Sequence, residues 1–180
     1  DCALGYRDSF FKRVGKGQFL VTRVVLCLQK NPTFNTQYGA IGEELAKMGE
    51  SISLRSVSQA IINIRQSKLP DPKVVGNAGS FFKNPVVAIT LFEKILSQYP
   101  DMPHYDQPDG RKKIPAAWLI QTCGWKGKRF GEHGVHPNQA LVLVNYGEAK
   151  GQDIFDLSQR IRESVQTTFG IDLEREVNVM

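Results

Sequence analysis

From Ser53 onward, prolines and glycines cut the chain into short pieces, and this punctuation limits the fold more than any single motif. Pro70 and Pro72 disfavour helical geometry in the residues ahead of them, so a helix arriving from Ser53 stops before KLPDPK. Pro85 ends a strand or confines it to an edge. Pro100 closes one helical pattern, and Pro115 at a first turn with Gly124 just past the end brackets another.

Within these limits three apolar faces are legible. Leu54, Val57, Ile61 and Ile64 recur at near-helical spacing after Ser53, a residue suited to capping a helix N-terminus. Ile89, Phe92, Ile95, Leu96 and Tyr99 form a second face. Ile154, Leu157, Ile161 and Val165 form a third, on a helix beginning at acidic Asp153 and ending at Gly170.

The strand signals are fewer. QFLVTRVVLCLQ, residues 18–29, is rich in β-branched and large apolar side chains and reads as a strand buried on both faces. Residues 139–145, QALVLVN, read as another buried strand, and residues 80–84 as a short one. NPTFNTQYG and PDMPHYDQPDGRKK carry loop and turn residues. So few strands, separated by irregular loops, favour an α+β fold with helices covering one side of a small sheet over a doubly wound parallel sheet.

The chain of 180 residues can bury a real core. No apolar run approaches the ~18 residues of a membrane span, and the first residues lack a secretory pattern, so a cytoplasmic protein is expected. The net charge of +5 is spread along the chain with carboxylates interleaved. That pattern is not a nucleic-acid stripe and suits anionic small molecules. Cys2, Cys27 and Cys123 fit neither a disulfide framework nor a zinc site, and buried reduced thiols are expected. The start at Asp-Cys-Ala, without methionine and already within a dense motif, suggests a fragment of a longer protein.

Four clusters carry candidate chemistry. In GYRDSFFK, the planar fork of Arg7 suits a carboxylate or phosphate, but the motif alone favours a structural ion pair or surface charge. In GNAGSFFKNP, small residues permit close backbone approach to a ligand beside Ser80. Ser80 can be read as a nucleophile, a proton donor or a turn residue, although the GxSxG elbow is absent because Phe82 replaces its second glycine. In GWKGKRFGEHGVHPNQALVLVN, His133 and His136 lack a convincing third ligand, so no metal is expected. Lys126, Lys128 and Arg129 there suit a phosphate or simply solvent. LEREV reads as a closing strand with Glu174 and Glu176 on opposite faces, one exposed and one inward, where a buried acid needs a partner or a raised pKa.

The order of these motifs is more specific than any of them alone. YRDSFFK, QYG, KLPDPK, GNAGSFFKNP, WLIQTCGWKG, HPNQALVLVN and LEREV together resemble the UDP-N-acetylenolpyruvoylglucosamine reductase (MurB) family, and the QYG loop resembles its type I branch. The resemblance covers essentially the whole chain. It implies FAD as cofactor and NADPH as hydride source, with UDP-N-acetylglucosamine enolpyruvate reduced to UDP-N-acetylmuramate for peptidoglycan synthesis.

By matching positions, the resemblance implies that Ser80 donates a proton to the carbon alpha to the substrate carboxylate. It casts Arg7 and Glu176 as the pair that polarises that carboxylate. Tyr38, Lys68 and Asn84 match positions around the diphosphate and sugar, and Lys126 and Gln139 match positions near the nucleotide. Family members begin with glycine-rich FAD-cradling segments that do not precede Asp1 here. Residues 1–52 are therefore expected to be the C-terminal remnant of an FAD-binding domain, 53–168 the substrate domain, and 169–180 a strand returning to the FAD region. Such a fragment is not expected to hold FAD tightly or turn over unaided. A stand-alone UDP-sugar-binding module without redox work is the alternative.

Overall fold

A computed structural model of the chain describes residues 2–5, 8–37 and 40–178. The backbone falls into two compact units, Asp1–Asn35 and Thr36–Met180.

In the first unit a single 3-10 turn, Phe10–Lys12, gathers Phe10, Phe11 and Phe19, with the Phe10 and Phe19 rings 5.7 Å apart. Arg13 pairs with Asp8 at 3.0 Å. The expected strand over 18–29 is not formed: no described residue there belongs to a strand, and Leu20, Val25 and Leu28 are at least four-fifths exposed. Apolar composition alone does not make a strand, because its backbone groups need a paired neighbour. Among the described residues this run has none. Cys2 and Cys27 are likewise exposed and Cys123 half-buried, so the expectation of buried thiols fails where the surrounding chain supplies no core.

The second unit is α+β. It opens with helix α1, Ile41–Met48, which the sequence reading did not anticipate, packed on α2, Leu54–Lys68. Ser53 caps α2 as expected: its hydroxyl accepts from the Ser56 N–H at 3.1 Å while the Ser53 N–H donates to the Ser56 hydroxyl at 2.9 Å. This reciprocal arrangement satisfies two donors that a helix end leaves open. Asn63 of α2 donates to Glu44 of α1 at 3.0 Å.

Two antiparallel sheets follow. Strands β1 (Gly76–Ser80), β7 (Val142–Asn145), β6 (His133–Val135) and β5 (Arg129–Phe130) lie side by side in that order. Strands β2 (Val86–Val87), β4 (Lys112–Lys113) and β3 (Tyr105–Asp106) form a smaller sheet. The strand expected over 80–84 thus sits earlier, ending at Ser80. Pro85 lies between β1 and β2, and its carbonyl accepts from Ile114 at 3.0 Å. Within PDMPHYDQPDGRKK, expected as loop, β3 and β4 are strands because the two backbones pair directly. Gly134 shows why glycine is needed in such pairing: a Cβ there would overlap the Lys128 carbonyl oxygen and stand 3.0 Å from the Arg129 Cα.

Helices α3 (Ile89–Gln98), α4 (Ala116–Thr122) and α5 (Gly151–Phe169) complete the unit. α5 starts two residues before Asp153, whose carboxylate accepts from the Lys150 N–H at 2.7 Å, and ends at Gly170 with φ +70. Ile161 and Val165 are fully buried and Leu157 nearly so, joining Leu143, Ile120, Leu119 and Leu173 in the core. Each such side chain contributes roughly 1.5–3 kcal/mol on burial.

The LEREV segment is not a strand. Its only ladder contact among the described residues is a bridge between Phe82 and Arg175. The Glu174 side chain is exposed, whereas Oε2 of Glu176 is buried, so the expected split between the two acids holds for a different reason. Residues two apart on a regular strand share a face. Here the difference comes from local packing.

Candidate functional site

The site builds outward from a bulge. Asn77 of β1 pairs with Val144 of β7 and Ser80 with Val142, so three steps on β1 oppose two on β7. One extra residue in an antiparallel strand kinks it and changes which side chain points where. Gly79 lies inside the bulge at φ +72, a left-handed conformation that glycine adopts without penalty. No atom lies within 4 Å of where its Cβ would stand, so the backbone beside Ser80 opens onto free space.

Next to Ser80 the chain is held from two sides. The Phe81 N–H donates to the Leu141 carbonyl at 2.8 Å, and the Phe81 carbonyl accepts from the Glu176 N–H at 2.9 Å. Two residues on, the Lys83 N–H donates to the Glu174 carbonyl at 2.9 Å, and the Lys83 ammonium pairs with the Glu174 carboxylate. Ser80, from the middle of the sequence, and Glu176, near its end, are therefore brought onto adjacent backbone.

Arg175 anchors that arrangement, a role that went unread in the sequence. Its Nε donates to the buried Ser158 hydroxyl at 2.8 Å and one terminal nitrogen donates to Gln159 at 2.9 Å. The guanidinium also lies 4.4 Å from the Phe155 ring centre. Burial first, then the neighbouring Arg162, lower its pKa from the ordinary arginine range, while Asp172 opposes them. Only alternation with the buried Leu173 hinted that Arg175 faces the helix.

The remaining expected residues take these places. Gln139 sits in the turn between β6 and β7, half-buried, with its carbonyl accepting from Val142, the cross-strand neighbour of Ser80. Lys126 is exposed in the loop before β5. That loop approaches the same turn, since a Cβ on Gly127 would lie 3.7 Å from the Pro137 Cα. Asn84 is exposed, and its Oδ1 accepts from the Ala116 N–H at 2.9 Å, tying it to the start of α4. Lys68 is exposed as the last residue of α2. Arg7 and Tyr38 lie outside the described residues.

The basic residues after Lys126 are occupied locally. Lys128 lies 5.0 Å from the Trp125 ring centre, and Arg129 lies 4.1 Å from that of Tyr146 while donating to the Gly131 carbonyl at 2.7 Å. His136 Nδ1 accepts from the Asn138 N–H at 3.3 Å, and burial lowers its pKa. Among the described residues no group of three or more His, Cys, Asp or Glu stands ready for a metal ion. Nor is any described helix long and apolar enough to cross a membrane.

A cavity of about 440 Å³ lies beneath α5, between Ile154 and Phe155 on the helix and Phe81, Leu143 and Asn145 on the sheet. Ser80 and Glu176 do not line it. Ser80 pairs with Val142, one residue out of phase with Leu143, so the serine belongs to the other side of the strand. The cavity lies on the α5 side of the sheet, where Asn77 and Ala78 of the bulged strand also line it, and the candidate site is the surface beside the bulge on the Ser80 side.

The pattern of a protein family described as UDP-N-acetylenolpyruvoylglucosamine reductase, C-terminal domain, matches residues 71–180. The chain belongs to this family. Three relatives named UDP-N-acetylenolpyruvoylglucosamine reductase extend the likeness to nearly the whole chain. The one from Flavobacterium johnsoniae is 53% identical over 182 residues, covering 100% of this chain and 54% of the relative. The one from Bacteroides fragilis is 49% identical, over 99% of this chain and 53% of the relative. The one from Amoebophilus asiaticus is 48% identical, again over 99% and 53%. This reductase-family chain thus spans about half the length of the curated relatives it matches.

Proposed function

We propose that the chain is the substrate-handling part of a cytoplasmic reductase that converts UDP-N-acetylglucosamine enolpyruvate to UDP-N-acetylmuramate. FAD, when bound, would supply the hydride, having received it from NADPH. The observation that carries the proposal is the junction of Ser80 with Glu176 across the Phe81 carbonyl. On this reading residues 1–52 belong to an FAD-binding domain, 53–168 form the substrate domain, and 169–180 return toward the flavin.

The residues present fit the reacting edge of a flavin. A flat ring needs close approach to the backbone, and Gly79 leaves open space beside Ser80. Hydride addition to the enolpyruvyl double bond leaves negative charge spread toward the carboxylate. Ser80 donates its hydroxyl proton to the carbon alpha to that carboxylate, completing addition of one hydride and one proton across the double bond. A hydroxyl is a weak acid, but a carbanion-like intermediate is basic enough to take its proton. Arg7 and Glu176 polarise the carboxylate and stabilise the charge as it develops. Lys68 supplies mobile positive charge for the diphosphate, with Tyr38 and Asn84 around diphosphate and sugar and with Lys126 and Gln139 near the nucleotide.

Calorimetry separates this reading from a stand-alone UDP-sugar-binding module. The chain is titrated with UDP-N-acetylglucosamine enolpyruvate with and without FAD. Weak binding without flavin supports the reductase part, and tight binding indifferent to flavin would favour the module.

A further inference from the structure

The bulge that carries Ser80 is closed by one side chain, Asn77. Its Oδ1 accepts from the Gly79 N–H at 3.0 Å, spanning the extra residue. Its Nδ2 donates to the Val75 carbonyl at 2.9 Å and to the Pro70 carbonyl at 3.3 Å. Pro70 follows Lys68 by two residues, and the loop between them and β1 is drawn tight by Asp71, whose carbonyl accepts from Val74 and Val75 at 2.9 Å each. One half-buried amide therefore ties together the loop after α2, the start of β1 and the bulge.

We infer that Asn77 is a positioning residue that aims Ser80 and holds the Lys68 loop through opposite ends of the same amide. The inference rests on the reading of Ser80 as proton donor. The acceptor end fixes the bulge. Without it the extra residue can migrate along β1 past Ser80, and the register of Gly76 and Asn77 then continues to place Gly79, rather than Ser80, opposite Val142. The donor end holds two carbonyls that a carboxylate would repel. The two ends are thus separable: Asn77→Asp keeps the acceptor and loses the donor, whereas Asn77→Ala loses both.

The first test follows amide hydrogen exchange at Gly79 in this chain. Asn77→Ala is expected to raise exchange about tenfold or more, the equivalent of about 1.4 kcal/mol, and Asn77→Asp to keep protection. Unchanged exchange in Asn77→Ala would overturn the inference. The second uses the flavin-loaded enzyme that carries this chain. Asn77→Ala is expected to slow reoxidation of reduced flavin by the enolpyruvyl substrate about tenfold to a hundredfold, part of the ~10²- to 10⁴-fold a placed acid supplies. Reduction by NADPH should keep its rate.

Asn77→Asp is expected to restore reoxidation at saturating substrate while raising the KM, because the Lys68 loop is released. A general loss of structure would slow both half-reactions in both variants and would count against positioning. Ser80→Ala run alongside tells the two failures apart. If Ser80→Ala slows reoxidation and Asn77→Ala does not, the positioning role is overturned; if neither does, the reading of Ser80 falls first and the inference with it.

Discussion

The backbone N–H of Glu176 donates to the carbonyl oxygen of Phe81 across 2.9 Å, joining the end of the chain to the residue after Ser80. The junction is held from behind by Arg175, which reaches Ser158 and Gln159 on α5. Removing that anchor frees the segment carrying Glu176. Hydrogen bonds to a charged group contribute about 1.5–3 kcal/mol, so Arg175→Ala is expected to lower stability by that order. Exchange at the Glu176 amide should quicken, and Arg175→Lys should not restore it, because a single ammonium lacks the fork that meets both partners. Unaltered exchange at Glu176 would show the junction to stand without Arg175.

At Gly79, space is not the constraint, since nothing lies within 4 Å of an added Cβ. Its φ of +72 is. Gly79→Ala is therefore expected to cost about 1–2 kcal/mol through the left-handed backbone, read by urea denaturation. The same variant should slow the proton-transfer step more than substrate binding. A variant as stable as the parent would mean that the bulge relaxes freely.

Gly134 poses the reverse case, an ordinary backbone angle with no room. An added methyl would overlap the carbonyl of Lys128, the residue before β5, and backbone cannot swing aside as a side chain can. Gly134→Ala is expected to destabilise by about 1–3 kcal/mol, seen as a lower Tm with the loop around Lys126 loosened.

Burial lowers the pKa of His136. A folded-state pKa below the unfolded one means that the unfolded chain binds the extra proton first. The stabilisation is fully present above the ordinary histidine pKa and is lost as pH falls through the lowered folded value. Urea midpoints measured on either side of that range should fall toward acid, and His136→Gln should flatten the fall. An equal pH slope in the variant would remove His136 as its cause.

Much of this was legible in the sequence where one element decides its own structure. Ser53 and the spacing of Leu54, Val57 and Ile61 marked α2 as a helix, although Leu54 and Ile61 are exposed and Ser56 and Ala60 are its buried residues, and Asp153 with Gly170 bracketed α5 closely. These are local signals: a cap, a period of 3.6, and a left-handed terminus. What failed depends on partners. Residues 18–29 have strand composition without a paired neighbour among the described residues, while Arg129, Phe130 and His133 lie in a glycine-rich stretch that pairs with itself. Ser80 was singled out by its small neighbours, but its link to Glu176 crosses nearly the whole domain and no spacing rule reaches that far. Asn77 and Arg175 carry no such local signal, because each acts through bonds to residues distant in sequence or to backbone.

The central claim is tested most directly by the proton-transfer half-reaction in the flavin-loaded enzyme that carries this chain. With Ser80→Ala, reoxidation of reduced flavin by UDP-N-acetylglucosamine enolpyruvate should slow by about 10²- to 10⁴-fold. Substrate affinity and reduction by NADPH should be kept. Reoxidation at the parent rate would contradict the account, because the serine on the bulge would then not be the group that delivers the proton.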